Sequence, residues 1–248
     1  FSLIVAVLSN NRLAWALSTF ASFLTMIFSI LLCFEVSNNS NISYYLGNWP
    51  PPLGIEYVID KVSIIPIMIV SVIGLIATLC AHNFFILEID KNLVSKTYSL
   101  WLLTIAGLMG LITTADAFNL FVFLEISSLS AVALVALGSK MDRKALIAGY
   151  NYLILGAVGA TFYVIGVGLL YGVTGTLNMS DLAQKIPTLG LNKSVIVAFT
   201  FMMLGIMVKA AVFPLHIWLP NAYAYAPSPV SVLLAATATK VSIYILVR

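Results

Sequence analysis

AFNLFVFLEISSLSAVALVALG, residues 117–138, holds a single charged side chain, Glu125, in a stretch as long as a bilayer is thick. A membrane-spanning helix needs about 20 predominantly apolar residues, and this run meets that length. Comparable runs lie on both sides of it. The pattern predicts helices at about Leu13–Val36, Val62–Ala81, Ser99–Thr114, Ala117–Gly138, Ala145–Val173, Ser194–Leu219 and Ser228–Arg248, with Phe1–Ser9 as the tail of a further one. The fold expected is all-α: a polytopic transmembrane helical bundle with about eight membrane segments.

Composition points the same way. Of 248 residues, 61% are hydrophobic and 8% are charged, against about a quarter charged in a soluble domain. Such a chain cannot clothe a water-exposed surface, so its solvent is the lipid bilayer and other apolar helices. The net charge of +3 is small, and no basic cluster points to nucleic acid. Cys33 and Cys80 make no CxxC pattern, and His82 and His216 are isolated. Neither a metal, a disulfide nor a haem held between helices is expected from them. The chain opens on Phe1 and stops inside the run VSIYILVR, which reads as a fragment or a truncated gene product.

The breaks between the apolar runs are chemically distinct. Ser37–Asp60, with WPPPLG, is rich in Asn, Ser, Gly and Pro, and is expected to form an external loop with at most a small hairpin. Val173–Lys193 contains TGTLNMSDLAQKIPTLG. There Ser180 or Asp181 would start a short helix that Pro187 closes, with Leu182, Ala183 and Ile186 facing the membrane surface. Strict alternation puts Arg12, Lys91, Lys96, Lys140, Arg143 and Lys144 on one side and Lys61, Lys185 and Lys193 on the other. The richer side is expected to be cytoplasmic.

Three ionisable side chains sit inside the runs: Glu125, Lys209 in MLGIMVKAAVF and Lys240 in LLAATATKVSIYIL. At 1.5 Å per residue all fall near the middle third of the bilayer. A charge there costs roughly 2.5–3.5 kcal/mol on insertion scales. The simplest compensation turns all three into a hydrated bundle interior, where Glu125 pairs with Lys209 or Lys240. Burial and a neighbouring carboxylate act on a lysine's proton affinity in opposite senses, so small displacements would switch it, as a proton relay needs. The alternative is a static pair that fixes helix register; it leaves the second lysine without a partner.

The helix carrying Lys209 is expected to be discontinuous. KAAVFPLHIWLPNAYAYAPSPV contains Pro214, Pro220, Pro227 and Pro229, and Pro214 removes a backbone donor about one turn after Lys209. Breaks at membrane depth are tolerated where they line a polar cavity, and transporters use them to aim helix ends at ions. His216 follows the break and would pass a proton between Lys209 and Lys240 through waters, or simply close a helix end. Asp116 suits the N-terminus of the Glu125 helix. Thr237, Thr239 and Ser242 surround Lys240, as water-holding or packing groups. Gly149, Gly156 and Gly159 approximate one small-residue face on their helix. Trp15, Trp49, Trp101 and Trp218 lie near segment ends, as interfacial anchors would.

These residues carry a resemblance. FNLFVFLEISSLSAVALVALG resembles the fifth-helix motif of the antiporter-like membrane subunits, and GIMVKAAVFPLHIWLPNAYAYAPSPVSVLLAATATK their seventh- and eighth-helix signature. That superfamily includes Mrp-type multisubunit Na+/H+ antiporters, the membrane arm of respiratory complex I and membrane-bound hydrogenases. YLGNWPPPLGIEYVID and YGVTGTLNMSDLA are most similar to the D-type component of the Mrp antiporters. The resemblance implies about fourteen helices in the whole polypeptide, built on two inverted five-helix repeats. Residues 1–98 would then be the preceding helices and 99–248 the first repeat, with the second absent. It further implies that Glu125 and Lys209 gate proton movement, that Lys240 passes charge to the second repeat, and that His216 is the histidine of the HxWLP block.

The function expected is proton translocation within a multisubunit monovalent cation (Na+)/H+ antiporter, in a bacterial-type inner (cytoplasmic) membrane and with other membrane subunits as partners. The alternatives are a proton-pumping component of a redox complex and a structural scaffold with a fixed ion pair. With no flavin, iron–sulfur or haem ligands the chain itself would hold no cofactor and do no redox chemistry.

Overall fold

Inside a bilayer every backbone polar group must be bonded within the protein, and the computed structural model answers with helices. It describes residues 1–7, 10–38, 41–190 and 192–248; the last two residues of the expected Phe1–Ser9 segment lie outside the described residues. The helices are α1 (Ser2–Val7), α2 (Asn11–Asn38), α3 (Ile64–Glu88), α4 (Val94–Thr113), α5 (Ala117–Ala136), α6 (Lys144–Thr174), α7 (Met179–Thr188), α8 (Lys193–Lys209), α9 (Trp218–Tyr225) and α10 (Ser228–Val247). Among the described residues six of them, α2 to α6 and α10, are long and apolar enough to cross a membrane. The chain is an all-α, multi-pass membrane protein. Its one sheet among the described residues is a hairpin of β1 (Ile42–Tyr45) and β2 (Glu56–Ile59), antiparallel with Ile42 opposite Ile59.

The helix starts obey local chemistry. Asp116 caps α5 by accepting from the Asn119 N–H at 2.7 Å, as its position suggested. Asn178 caps α7 through the Asp181 N–H, so the cap lies before the Ser180 or Asp181 expected. Gly175, at φ 67°, supplies the left-handed residue that ends α6. Hydroxyls inside the spans bond back one turn, as Thr78 does to the Gly74 carbonyl at 2.6 Å and Thr97 to Leu93 at 2.9 Å.

Two boundaries differ from expectation for one reason. Helix α3 runs to Glu88 rather than Ala81, and α4 starts at Val94 rather than Ser99. The polar residues that seemed to mark loops are covered by neighbours. His82 packs its ring on Trp15 at 4.8 Å, and Ser95 donates to the Val5 carbonyl at 2.6 Å. Helix α4 is the most enclosed span, so it needs no apolar surface of its own. The tryptophans are also corrected. Trp101 is fully buried and donates to Thr78 Oγ1 at 2.8 Å, Trp15 donates to the Thr78 carbonyl, and Trp218 is buried. Trp49 stays exposed.

Side-chain ties place the alternate connections at opposite ends. At one end Asn11 donates to the Lys91 carbonyl, and Lys140 Nζ donates to the carbonyls of Leu87 (3.1 Å) and Ile89 (2.9 Å). Buried Glu88 there accepts from the Ser228 N–H (2.7 Å) and hydroxyl (2.6 Å), holding the start of α10 against the end of α3. At the other end the hairpin docks on the α4–α5 turn: Ala115 N–H donates to the Glu56 carbonyl, and the Glu56 side chain accepts from Asn178 at 2.9 Å. Helix α7 lies at this end. Its Leu182 is buried, Ile186 half-buried and Ala183 exposed, and the three line an open apolar pocket of about 270 Å³ with Phe199 and Met202. Its outer side carries the Lys185–Asp181 ion pair at 2.9 Å, and the lysine's hydrogen bond holds the half-buried Asp181 carboxyl below the usual range.

Candidate functional site

Helix α8 enters from the hairpin end and stops at Lys209 itself, short of the Leu219 expected; the helical direction resumes only at Trp218. The break therefore precedes Pro214 and puts the lysine on the last turn. Pro214 supplies no N–H to continue the ladder, and Ala211 sits at φ 53°, a left-handed backbone that costs a non-glycine residue about 1–2 kcal/mol. Trp218 compensates: its indole N–H donates to the Val208 carbonyl at 3.0 Å while its ring stacks on Tyr152, centroids 4.2 Å apart. The broken end is thus sealed by an aromatic side chain from the following helix.

Lys209 is buried, 8% exposed, and its ammonium donates to Ser128 Oγ of α5 at 2.5 Å. Gly156 of α6 makes the niche, because a Cβ there would stand 3.3 Å from Lys209 Nζ and 3.1 Å from Ser128 Oγ. Gly149 and Gly159 lie on the same buried face, against Ala136 and against Val208 and Gly205, as their spacing suggested. Beside the lysine is a small cavity of about 20 Å³, room for about one water, whose polar wall is Thr104, Ser127, Ser128, Tyr152, Lys209 and Ser242. Four helices besides α8 contribute to it.

The other expected residues are distributed more widely than the sequence suggested. Glu125 is half-buried and lines an open groove between α4 and α5 with Leu100, Leu103, Phe121, Val122, Ile126, Leu129 and Ser130. It lies within electrostatic reach of Lys209 without forming an ion pair with it; Lys185–Asp181 is the ion pair found among the described residues. Ser128, which accepts from Lys209, lies three residues beyond Glu125 on α5 and so neighbours it on that helix surface. Lys240 does not turn inward. It is exposed, with Nζ donating to the Ala235 carbonyl of its own helix at 2.5 Å and to Thr239 at 3.3 Å. Of its supposed hydroxyl neighbours, Thr237 bonds to the Leu233 carbonyl and Ser242 lines the Lys209 cavity instead. His216 sits in the broken segment with its ring on Phe213 at 5.6 Å and its Nδ1 buried without a partner; no hydrogen bond joins it to Lys209 or Lys240. The expected meeting of the three charged groups thus reduces to Lys209 inside, Glu125 in an adjacent groove and Lys240 on the outer face.

Sequence reasoning missed Ser128 and Tyr152 as site-shaping residues and read Gly156 only as part of a packing face. The serine cluster directly after Glu125 was the available signal, for hydroxyls are what a buried ammonium needs.

Known proteins share this architecture. The chain is 48% identical over 205 residues to the N component of the NADH-quinone oxidoreductase of Desulforudis audaxviator, covering 83% of this chain and 40% of that one. It is 30% identical over 247 residues to the D component of the Na(+)/H(+) antiporter of Alkalihalophilus pseudofirmus, covering 100% of this chain and 49% of that one. It superposes with a TM-score of 0.89, at 32% identity, on a chain of the archaeal membrane-bound sulfane sulfur reductase, covering all of this chain and 51% of that one. The chain therefore spans about half the length of the relatives it matches, or less. Residues 114–248, which hold the whole cavity around Lys209 except Thr104, Leu108 and Leu111, match the family described as NADH:quinone oxidoreductase/Mrp antiporter, TM. This chain belongs to that family.

Proposed function

We propose that this chain is the proton-translocating part of an antiporter-like polypeptide in a multisubunit monovalent cation/proton antiporter, with Na+ as the exchanged cation. The observation that carries the reading is Lys209: a buried ammonium at the broken end of a helix, in a hydroxyl-lined cavity, with a carboxylate in the next groove. A lysine that only packed would be cheaper as an apolar side chain. Residues 99–248 form the five-helix translocation unit and 1–98 the helices before it. Glu125 and Lys209 exchange the proton, His216 and Lys240 carry it onward, and exposed Lys240 addresses protein outside this chain. Other membrane subunits cover that face, and the lysine-rich end lies in the cytoplasm of an inner (cytoplasmic) membrane.

A second reading has an observation of its own. The relative of higher identity is named as part of an oxidoreductase and the superposed structure is a respiratory complex, which favours a proton pump powered by redox chemistry elsewhere in an assembly. One experiment addresses both. In everted vesicles containing the assembled complex, Lys209→Ala and Glu125→Ala leave the complex intact on a native gel and abolish ΔpH-driven exchange. Exchange persisting in Lys209→Ala would remove the relay. Proton uptake that needs an electron donor rather than a cation gradient would select the redox assembly.

A further inference from the structure

The groove that holds Glu125 and the cavity that holds Lys209 are separate spaces, and a relay between the two groups needs a way through the wall. We propose that the hydroxyl pair Thr104–Ser130 is that crossing. The inference rests on the relay reading above and names the side chains through which the two carriers exchange a proton. Thr104 of α4 and Ser130 of α5 are 1% and 2% exposed, with their hydroxyl oxygens 2.8 Å apart. Ser130 lines the Glu125 groove, whereas Thr104 lines the Lys209 cavity. Their hydrogen bond spans the wall.

The surroundings of the pair give it a direction. Each hydroxyl carries one proton and can accept another hydrogen bond. Each also has a second acceptor one turn back on its own helix: the Leu100 carbonyl for Thr104 at 2.9 Å, and the Ile126 carbonyl for Ser130 at 2.7 Å. Thr104 donates to Ser130 while Ser130 donates to Ile126. Both buried hydroxyl protons are bonded, and the shared one points from the cavity side to the groove side.

The transfer balances atom by atom. Water in the cavity takes a proton from the Lys209 ammonium and delivers one to Thr104 Oγ1. Thr104 releases its own proton to Ser130 Oγ along the existing hydrogen bond. Ser130, its hydroxyl turned from Ile126 to water in the groove, releases its own to that water, which protonates the Glu125 carboxylate. Each O–H or N–H bond formed matches one broken. Lys209 ends as a neutral amine, Glu125 as carboxylic acid, and the hydroxyls and waters are regenerated with the shared hydrogen bond reversed. Rotation of the two hydroxyls resets the pair.

The test uses the full-length protein in its assembled complex, with ΔpH-driven exchange in everted vesicles normalised to complex on a native gel. Thr104→Val keeps the shape and leaves Ser130 bonded to Ile126; Ser130→Ala leaves Thr104 bonded to Leu100. Both therefore assemble, and each slows exchange by at least about tenfold, while Thr104→Ser stays within about twofold of wild type. Should Thr104→Val lower assembly, Ser130→Ala carries the comparison. Wild-type exchange in both hydroxyl-less variants, in vesicles where Lys209→Ala is inactive, overturns the crossing and leaves the relay standing. Slow exchange that Thr104→Ser does not restore also overturns it, since the defect then lies in packing. Normal exchange by Lys209→Ala overturns the relay and the crossing together.

Discussion

At the scale of single residues, the site is a charge fitted into a space made by the absence of side chains. Gly156 leaves the room that the Lys209 ammonium and Ser128 share. Gly156→Ala should leave assembly near wild type, because overpacking of one methyl costs about 1–3 kcal/mol and alanine's helix preference returns roughly 0.5–1. Exchange should nevertheless fall severalfold, because the methyl displaces Nζ or the serine. Gly168→Ala is the matched control on the same helix: nothing lies within 4 Å of its Cβ, so it should exchange normally. Equal exchange rates in the two variants would show that the niche does not position the lysine. Glu125, Lys209 and Lys240 were legible in the sequence because a charge inside an apolar run must be explained. Ser128 and Gly156 were not, because serine and glycine are common at helix contacts of every kind. Nor could the run LLAATATKVSIYIL tell which face of α10 its lysine occupies, since the hydroxyls of Thr237, Thr239 and Ser242 are spread around the helix.

At the scale of elements, the sequence predicted every span but misplaced ends where polar residues meet protein instead of water. Ser95, Thr97 and Glu88 are buried, so polarity there reports an interior and not a loop. Asp116 was read correctly as a cap because an acidic residue before an apolar run has few other uses. Its electrostatics carry a prediction. Burial holds the carboxyl above the usual range, against the lowering pull of the Asn119 and Phe118 N–H groups. A raised folded-state pKa means the folded chain binds that proton more tightly than the unfolded one. The associated stability is complete below the ordinary carboxylate pKa of about 4 and is lost as pH rises through the folded value. Asp116→Asn keeps a capping oxygen and removes this loss. In detergent its Tm at neutral pH should equal or exceed that of wild type, and the advantage should disappear as the pH is lowered to about 4. A lower Tm at neutral pH would show that attraction between the carboxylate and the helix dipole dominates.

At the scale of the whole molecule, the alternation of helices sorts the connections onto two ends, and the hydrogen bonds of Asn11, Lys140 and Glu56 agree with that sorting. In a background lacking Cys33 and Cys80, Lys91→Cys and Arg143→Cys should react with a membrane-impermeant maleimide only from the cytoplasm, and Lys61→Cys only from outside. Labelling of Lys61→Cys and Arg143→Cys from the same side would refute the topology. The contact of α6 with α8 bears on what can move. A Cβ at Gly205 would stand 2.5 Å from the Gly159 carbonyl and 2.8 Å from the Tyr163 nitrogen, so the two backbones touch. Helices seated that closely cannot slide past or roll on one another without collision. They act as a stator: any stroke that changes the reach of Lys209 must come from its own torsions or from a swing of residues 210–217.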